Sequence, residues 1–151
     1  MNTHVRDNLN ALWIELQYTE ITATVTAAST TESSPTTVIA GASLAVVAKP
    51  LLIEFFAPYI SSGSSGTTYV TLWEGATQKG RIATATGEYY TTGGNGWQGG
   101  VFSRRYTPSA GSYVFKVGCH YATAAGQIFA GAGGTAQDAP AYLRISQQGS
   151  A

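Results

Sequence analysis

The stretch Leu51-Leu-Ile-Glu-Phe-Phe-Ala57 carries the strongest strand pattern in this chain of 151 residues. Successive side chains of a strand point to opposite faces, so the odd-numbered residues share one face and Leu52, Glu54 and Phe56 share the other. Both faces are largely apolar. We therefore predict that one face lies in the core of the domain and that Leu52 and Phe56, on the other, contact a second subunit.

Similar short segments follow one another along the chain, separated by Gly, Pro, Ser and Thr. The other predicted strands are 21–26, 69–74, 81–86, 101–106, 112–121, 127–130 and 142–146, with shorter apolar pieces at 38–39 and 44–47. We predict a hairpin loop over 75–80 and tight glycine-rich loops at 93–100 and 131–134. About eight antiparallel strands at this spacing predict an all-β fold, a two-sheet sandwich or jelly roll.

The first residues differ from the rest of the chain. Val5, Leu9, Leu12 and Leu16 recur at the spacing of one helix stripe, and the opposite side is polar. We predict a short N-terminal helix within residues 1–16, followed by the β domain at 17–151. An isolated helix of about three to four turns is marginal in water, so the stripe needs a partner. That partner is either the chain's own β domain or a copy of the protein or another docking surface.

The composition limits what the surface can bind. Charged side chains make up 11% of the chain, against ~25% in ordinary soluble domains, and eight basic residues balance eight acidic ones. This balance excludes a strongly basic nucleic-acid or anionic-membrane surface. The sequence has no apolar run of the ~20 residues that a membrane span needs and no signal-peptide pattern. We expect synthesis in a cytoplasm and a surface suited to packing among copies of the protein.

Candidate catalytic groups are few. Cys119, the one cysteine of the sequence, and His120 are neighbours on a predicted strand and should point to opposite faces. Glu54 and Glu74 could form the carboxylate pair of a glycosidase, although a solvated or ion-paired role, for example with Arg81 or Arg144, fits them better. The glycine-rich loops lack the lysine of a phosphate loop. We predict no catalytic residue, no metal site and no cofactor.

Aromatic residues cluster near the most glycine-rich segment, where Tyr89, Tyr90 and Trp97 lie in or beside the loop. Exposed loop aromatics stack on sugars or anchor protein interfaces. Two interpretations stay open. In the first, these side chains hold a host glycan. In the second, which we favour, they pack either against the sandwich or against a neighbouring subunit.

The phrase Asn2-Thr-His-Val-Arg-Asp-Asn-Leu-Asn-Ala-Leu12 resembles a short helical segment near the start of many small structural proteins of tailed bacteriophages. Later stretches resemble the β-rich head domain of the same proteins: 51–58, 72–75, 80–82, 103–113 and 128–134. That domain is similar to the trimeric jelly rolls of tumour-necrosis-factor and complement globular heads.

The resemblance implies a jelly roll preceded by a helix, and a homotrimer on the surface of a virion. A short helix before a compact head, without a long fibrous stalk, favours a capsid decoration protein that contacts the major capsid protein. The alternative is the receptor-binding tip of a tail fibre or head fibre, which would hold a host glycan. In both cases we expect a protein without enzymatic activity, made in the cytoplasm of the bacterial host.

Overall fold

A computed structural model describes residues 13–87 and 97–149, and it places ten strands in that part of the chain. They are β1 (Trp13–Ile21), β2 (Val25–Thr26), β3 (Thr36–Val46), β4 (Leu51–Ser61), β5 (Thr67–Glu74), β6 (Thr77–Thr86), β7 (Trp97–Tyr106), β8 (Gly111–Ala122), β9 (Gln127–Phe129) and β10 (Ala141–Gln148). All the ladders that join them are antiparallel. The prediction of an all-β fold is confirmed.

The strands form two sheets. In the six-stranded sheet the order is β1-β10-β4-β9-β2. Along one edge of β4 lie β10 and then β9, and β7 pairs with the other edge from Leu51 to Ser61. In the four-stranded sheet the order is β3-β8-β5-β6. Consecutive long strands mostly alternate between the two sheets, so the arrangement is sandwich-like.

The pairing pattern is that of one long, bent hairpin. Moving inward from the two ends of the described chain, β1 pairs with β10, β3 with β8, β4 with β7 and β5 with β6. Two further ladders, β10 with β4 and β5 with β8, join these pairs into the sheets. The first half of the chain therefore pairs with the second half in reverse order.

The core lies between the sheets. It is built from the inward side chains of both, which are largely β-branched or aromatic and suit a pleated, buried surface. Leu51, Ile53 and Phe55 from the six-stranded sheet and Phe115 and Val117 from the four-stranded one are each 2% exposed or less. The predicted division of β4 into a buried odd-numbered face and an outward even-numbered face is confirmed.

Antiparallel pairing sorts the connections between two ends of the molecule. At the terminal end, where Trp13 lies opposite Gln148, the chain turns at 47–50, 75–76 and 107–110. At the other end, here called the distal end, lie the connections 62–66, 123–126 and 130–140. The start of β7 is also distal, because Trp97 pairs with Ser61 at the end of β4.

The predicted N-terminal helix needs a correction at its C-terminal boundary. Residues 13–16 belong to strand β1, where the backbone pairs with β10, and Leu16 packs against the core of its own chain. A bulge between Glu15 and Gln17 breaks the period-two alternation, so the sequence of β1 lacks a clear strand pattern. Val5, Leu9 and Leu12 lie outside the described residues, so a helix that contains them stays a prediction.

Other boundaries also differ from those predicted, because bulges interrupt the alternation. The pieces at 38–39 and 44–47 belong to one strand, β3, whose register shifts near Gly41. The hairpin loop predicted over 75–80 is a turn of two residues, since Glu74 already pairs with Thr77. Gly75 has a φ of 58°, the conformation that such a tight turn requires. The predicted strand at 21–26 is reduced to the last residue of β1 and the short β2.

Candidate assembly surface

A continuous apolar row crosses the outer face of the six-stranded sheet. It takes one side chain from each of four neighbouring strands: Tyr18, Tyr142, Phe56 and Val101. The ring centroids of Tyr18 and Tyr142 are 5.2 Å apart, and those of Tyr142 and Phe56 are 5.3 Å apart in a stacked arrangement. Tyr18 is 46% exposed and Val101 52%. Cross-strand aromatic contacts hold this row in place, while much of its surface stays open to solvent.

An ion pair lies beside the row on the same face. Arg144 on β10 faces Glu54 on β4, and its Nη2 and Nε lie 2.6 and 2.8 Å from Oε2 of the carboxylate. The hydrogen bonds to Glu54 raise the pKa of Arg144. Each of the two charged groups therefore has a partner within the chain. The pair is a polar site on a face that is otherwise largely apolar. The predicted ion-pairing of Glu54 is confirmed.

Leu52 continues the apolar surface toward the terminal end. Its neighbours across the strands are Ser146 and Arg105, and the Arg105 guanidinium lies 5.0 Å from the centroid of the Trp13 ring. This cation–π contact joins the two outermost strands across Leu52. We call the outer surface made by Tyr18, Leu52, Phe56, Val101 and Tyr142 the aromatic face.

A second hydrogen bond fixes the edge of the aromatic face. Tyr18 donates from its hydroxyl to Oε1 of Glu20 at 2.6 Å. This hydrogen bond is the main reason that the pKa of Tyr18 rises to about 12. The phenol therefore stays protonated and neutral throughout the physiological range.

Sequence reasoning found part of this surface. Leu52 and Phe56 lie on it, as the alternation in β4 predicted. Tyr18, Tyr142 and Val101 were missed as surface residues, although Tyr142 and Arg144 alternate in the same way around buried Leu143. Leu16, by contrast, packs inward.

The remaining predicted contact residues fall outside what the structure describes. This holds for Val5, Leu9 and Leu12 near the start of the chain and for Tyr89 and Tyr90 in the glycine-rich segment. The backbone of Trp97 begins β7, but its side chain is not among the described groups.

Cys119 and His120 point to opposite faces of β8, as predicted. The Cys119 side chain is fully buried in the core, and burial raises the pKa of its thiol to about 12. His120 lies on the outer face, stacks on Tyr69 with ring centroids 4.9 Å apart, and has its pKa lowered by burial. A buried thiol of high pKa is a poor nucleophile, and the histidine faces away from it.

The two acidic residues that could have formed a catalytic pair lie in different sheets, and each forms an ion pair with a basic side chain. Glu54 lies on the six-stranded sheet, whereas Glu74 lies at the end of β5 in the other sheet and pairs with Lys79. Within residues 13–87 and 97–149, no three histidine, cysteine or acidic side chains are grouped as metal ligands would be. Nor does any helix in that part of the chain have the length and apolar character needed to cross a bilayer.

A polar network covers the outer face of the four-stranded sheet. Glu32, in the loop before β3, accepts hydrogen bonds from Gln78 at 2.8 Å and from Arg81 at 2.7 and 3.0 Å. The Arg81 guanidinium in turn lies 4.1 Å from the centroid of the Tyr69 ring. Chiefly through the Arg81 hydrogen bonds, the pKa of Glu32 falls to about 2. A loop of the chain thus covers this face, whereas within residues 13–87 and 97–149 no loop is held over the aromatic face by a hydrogen bond.

The chain matches no protein-family model and none of the curated proteins.

Proposed function

We propose that this protein is a non-enzymatic structural component of a tailed-bacteriophage virion, a capsid decoration protein that works as a homotrimer. In this proposal the chain is made in the host cytoplasm and ends on the virion surface, bound to copies of itself and to the major capsid protein. Its work is binding: contacts made only in the assembled particle stabilise that particle.

The observation that carries the proposal is the aromatic face. Three aromatic rings and a valine form a row across four strands, and two of the four side chains are about half exposed. Contiguous exposed apolar surface of this kind is typical of protein interfaces. A protein that assembles with copies of itself gains from burying it, because each buried aromatic side chain contributes about 1.5–3 kcal/mol.

The strand pairing supports the jelly-roll part of the proposal. The short strands β2 and β9 can be left aside and the eight long strands renumbered 1 to 8 in chain order. With this numbering the strand order is 1-8-3-6 in one sheet and 2-7-4-5 in the other. A long hairpin that wraps around a core gives these orders, and that is how a jelly roll is built from two Greek keys.

The positions of the phage-like sequence stretches also support the proposal. The stretch 51–58 lies in β4, which supplies Leu52 and Phe56 to the aromatic face. The stretch 103–113 runs from β7 through a turn into β8, so it supplies one edge of the same sheet. The resemblance therefore falls on the strands that build the fold and the candidate surface.

Cryo-electron microscopy of the parent particle tests the proposed location. We expect trimeric density of this protein on the capsid shell, between capsid subunits. Density confined to the tail tip or to a fibre end would contradict the decoration role and favour the receptor-binding alternative.

One observation favours that alternative as a second candidate. Tyr59 at the distal end is 48% exposed and contacts Phe129 edge to face, with ring centroids 6.4 Å apart. An exposed tyrosine ring offers an apolar face on which a sugar could stack. A host-glycan site here predicts binding on a glycan array that Tyr59→Ala abolishes and Val114→Ala, an exposed change on the four-stranded sheet, leaves intact.

A further inference from the structure

The segment 27–35, which precedes β3, lies over the outer face of the four-stranded sheet and is here called the strap. Its last residue, Pro35, lies over Gly118 of β8, with Cγ 2.6 Å from the position that a Cβ on Gly118 would take. Earlier in the strap, the carbonyl of Ser29 accepts a hydrogen bond from the backbone N–H of Tyr121 at 2.9 Å. The strap is thus attached to β8 at two points.

Glu32 attaches the strap to β6. Its carboxylate accepts hydrogen bonds from Gln78 and Arg81, and the Arg81 guanidinium lies over the ring of Tyr69 on β5. Because β5 lies between β8 and β6 in the sheet, these contacts carry the strap across the Tyr69 ring. The hydrogen bonds of Glu32 therefore fix the middle of the strap to a strand two positions from β8.

His120 lies beneath the strap. Residues 118 and 120 are two apart on β8, so the His120 side chain points to the same face as the position over which Pro35 lies. The side chain is 4% exposed and stacks on Tyr69. Its Nδ1 is buried and has no hydrogen-bond partner within the described part of the chain. A proton on this atom would need an acceptor that the closed arrangement does not give.

Among the described residues, Arg81 and Glu32 are the charged groups that face His120. Arg81 comes from β6 and repels a protonated imidazole, whereas Glu32 comes from the strap and attracts it. β5 contributes the Tyr69 ring, and β3 has no charged residue. Glu32 can turn toward an imidazolium only by giving up hydrogen bonds to Arg81 or Gln78. By either route, a proton on His120 weakens the attachment of the strap to β6.

We propose that the strap is a pH-sensitive cover. It is closed while His120 is neutral, and protonation of His120 in mildly acidic solution releases Glu32 from β6 and uncovers Tyr69 and His120. The cover works within a single chain, so it does not depend on the proposed self-assembly.

The direction of the pH dependence follows from the imidazole. Burial lowers the pKa of His120 below its ordinary value of 6.5 while the strap is closed. The open form then binds the proton more tightly, so the closed strap keeps its full stability well above pH 6.5 and loses it as the pH falls below that value. Glu32 stays ionised throughout this range, since its pKa is about 2. A loss of strap stability near pH 6 therefore reports on His120.

Hydrogen exchange of the full chain, followed by mass spectrometry of peptides that cover 27–35, tests the proposal. After correction for the intrinsic exchange rate at each pH, we expect the protection of the strap amides to fall by about 10-fold between about pH 7.5 and about pH 5.5. A single proton that binds the open form with a pKa of about 6.5, and the closed form much more weakly, gives this ratio. Amides of β4, in the other sheet, should keep their protection.

Variants assign the effect to its residues. His120→Gln and His120→Phe remove the titrating group with two different neutral side chains, and each variant that folds by circular dichroism should show the same strap protection at both pH values. His4→Gln is the matched control, because the sequence has two histidines, and it should keep the 10-fold change. Glu32→Gln should lower the strap protection at neutral pH by up to about 5-fold, since it removes the charge that holds Arg81.

Each of four results would overturn the pH-sensitive strap. They are wild-type strap protection that is equal at the two pH values, a His120 variant that loses protection as the wild type does, a His4→Gln variant that does not, and a Glu32→Gln variant with wild-type protection at neutral pH. If neither His120 variant folds, the other three measurements still decide. None of them depends on whether the protein forms a trimer.

Discussion

At the scale of single residues, Glu32 connects a loop to the outer face of the four-stranded sheet. It binds Gln78 and Arg81, and Arg81 continues through Tyr69 to His120. The same carboxylate sits in a segment that the sequence marks only as polar and loop-like. Its partners come from a strand almost 50 residues further on, so no local pattern could have predicted the contact.

The Glu32 ion pair predicts a pH-dependent contribution to stability. The folded-state pKa of about 2 lies below the ordinary value of 4.5, so the contribution is complete above about pH 4.5 and is lost as the pH falls toward 2. Glu32→Gln should lower the free energy of unfolding at neutral pH by at most about 1 kcal/mol, as for other exposed pairs. Thermal unfolding between pH 2 and 7 should show a smaller acid-induced loss for the variant; equal losses would contradict this.

For Cys119, the strand pattern correctly predicted that its side chain points away from that of His120. It lies in the core with a pKa raised to about 12, so the thiol should not react with thiol reagents until the protein unfolds. Cys119→Ser should reduce the free energy of unfolding by about 1–3 kcal/mol, because the hydroxyl is buried among apolar groups. Chemical denaturation measures this loss. Rapid labelling of the folded protein would show that the thiol is accessible.

At the scale of elements, alternation predicted strands well where it was unbroken and poorly where bulges interrupt it. The inward and outward faces of β4 and β8 follow directly from their sequences. In β1, the bulge between Glu15 and Gln17 shifts the pattern by one residue, so residues 13–16 were not predicted as a strand. In the same way, bulges caused β3 to be predicted as two separate pieces and β6 to be predicted too short. The pairing that corrects these errors joins distant segments, which local patterns do not specify.

The N-terminal segment and β1 should therefore respond differently to substitution. Leu16 packs against the core, and Leu16→Ala should reduce the free energy of unfolding of the domain by about 2 kcal/mol. Leu9→Ser/Leu12→Ser should leave the unfolding transition of the domain unchanged and weaken trimer formation or virion attachment, if the predicted helix contacts another subunit.

Circular dichroism and denaturant unfolding distinguish the two classes of variant. Should Leu9→Ser/Leu12→Ser destabilise the β domain as strongly as Leu16→Ala does, the predicted stripe packs within its own chain. The interpretation of the helix as an intersubunit contact would then be wrong.

At the scale of the whole molecule, the two broad faces differ in how they are covered. The four-stranded sheet carries the loop before β3 and its polar network on its outer side. The outer side of the six-stranded sheet carries an ion pair and an apolar row. Among the described residues, no loop is held over that row by a hydrogen bond. The sequence predicted two side chains of the aromatic face, Leu52 and Phe56. Tyr18, Val101 and Tyr142 required the register of four strands, which brings them to the same face as Phe56.

The mass of the protein in solution tests the central claim, that the aromatic face joins copies of this chain. We expect light scattering after gel filtration to give three times the 15.7 kDa of one chain at micromolar concentration. Phe56→Ser removes about 1.5–3 kcal/mol of apolar burial per subunit and should shift the mass toward one chain. Val114→Ser, a matched change on the outer face of the four-stranded sheet, should leave the trimer intact. A wild-type mass of one chain, or a folded Phe56→Ser variant as trimeric as the wild type, would contradict the claim.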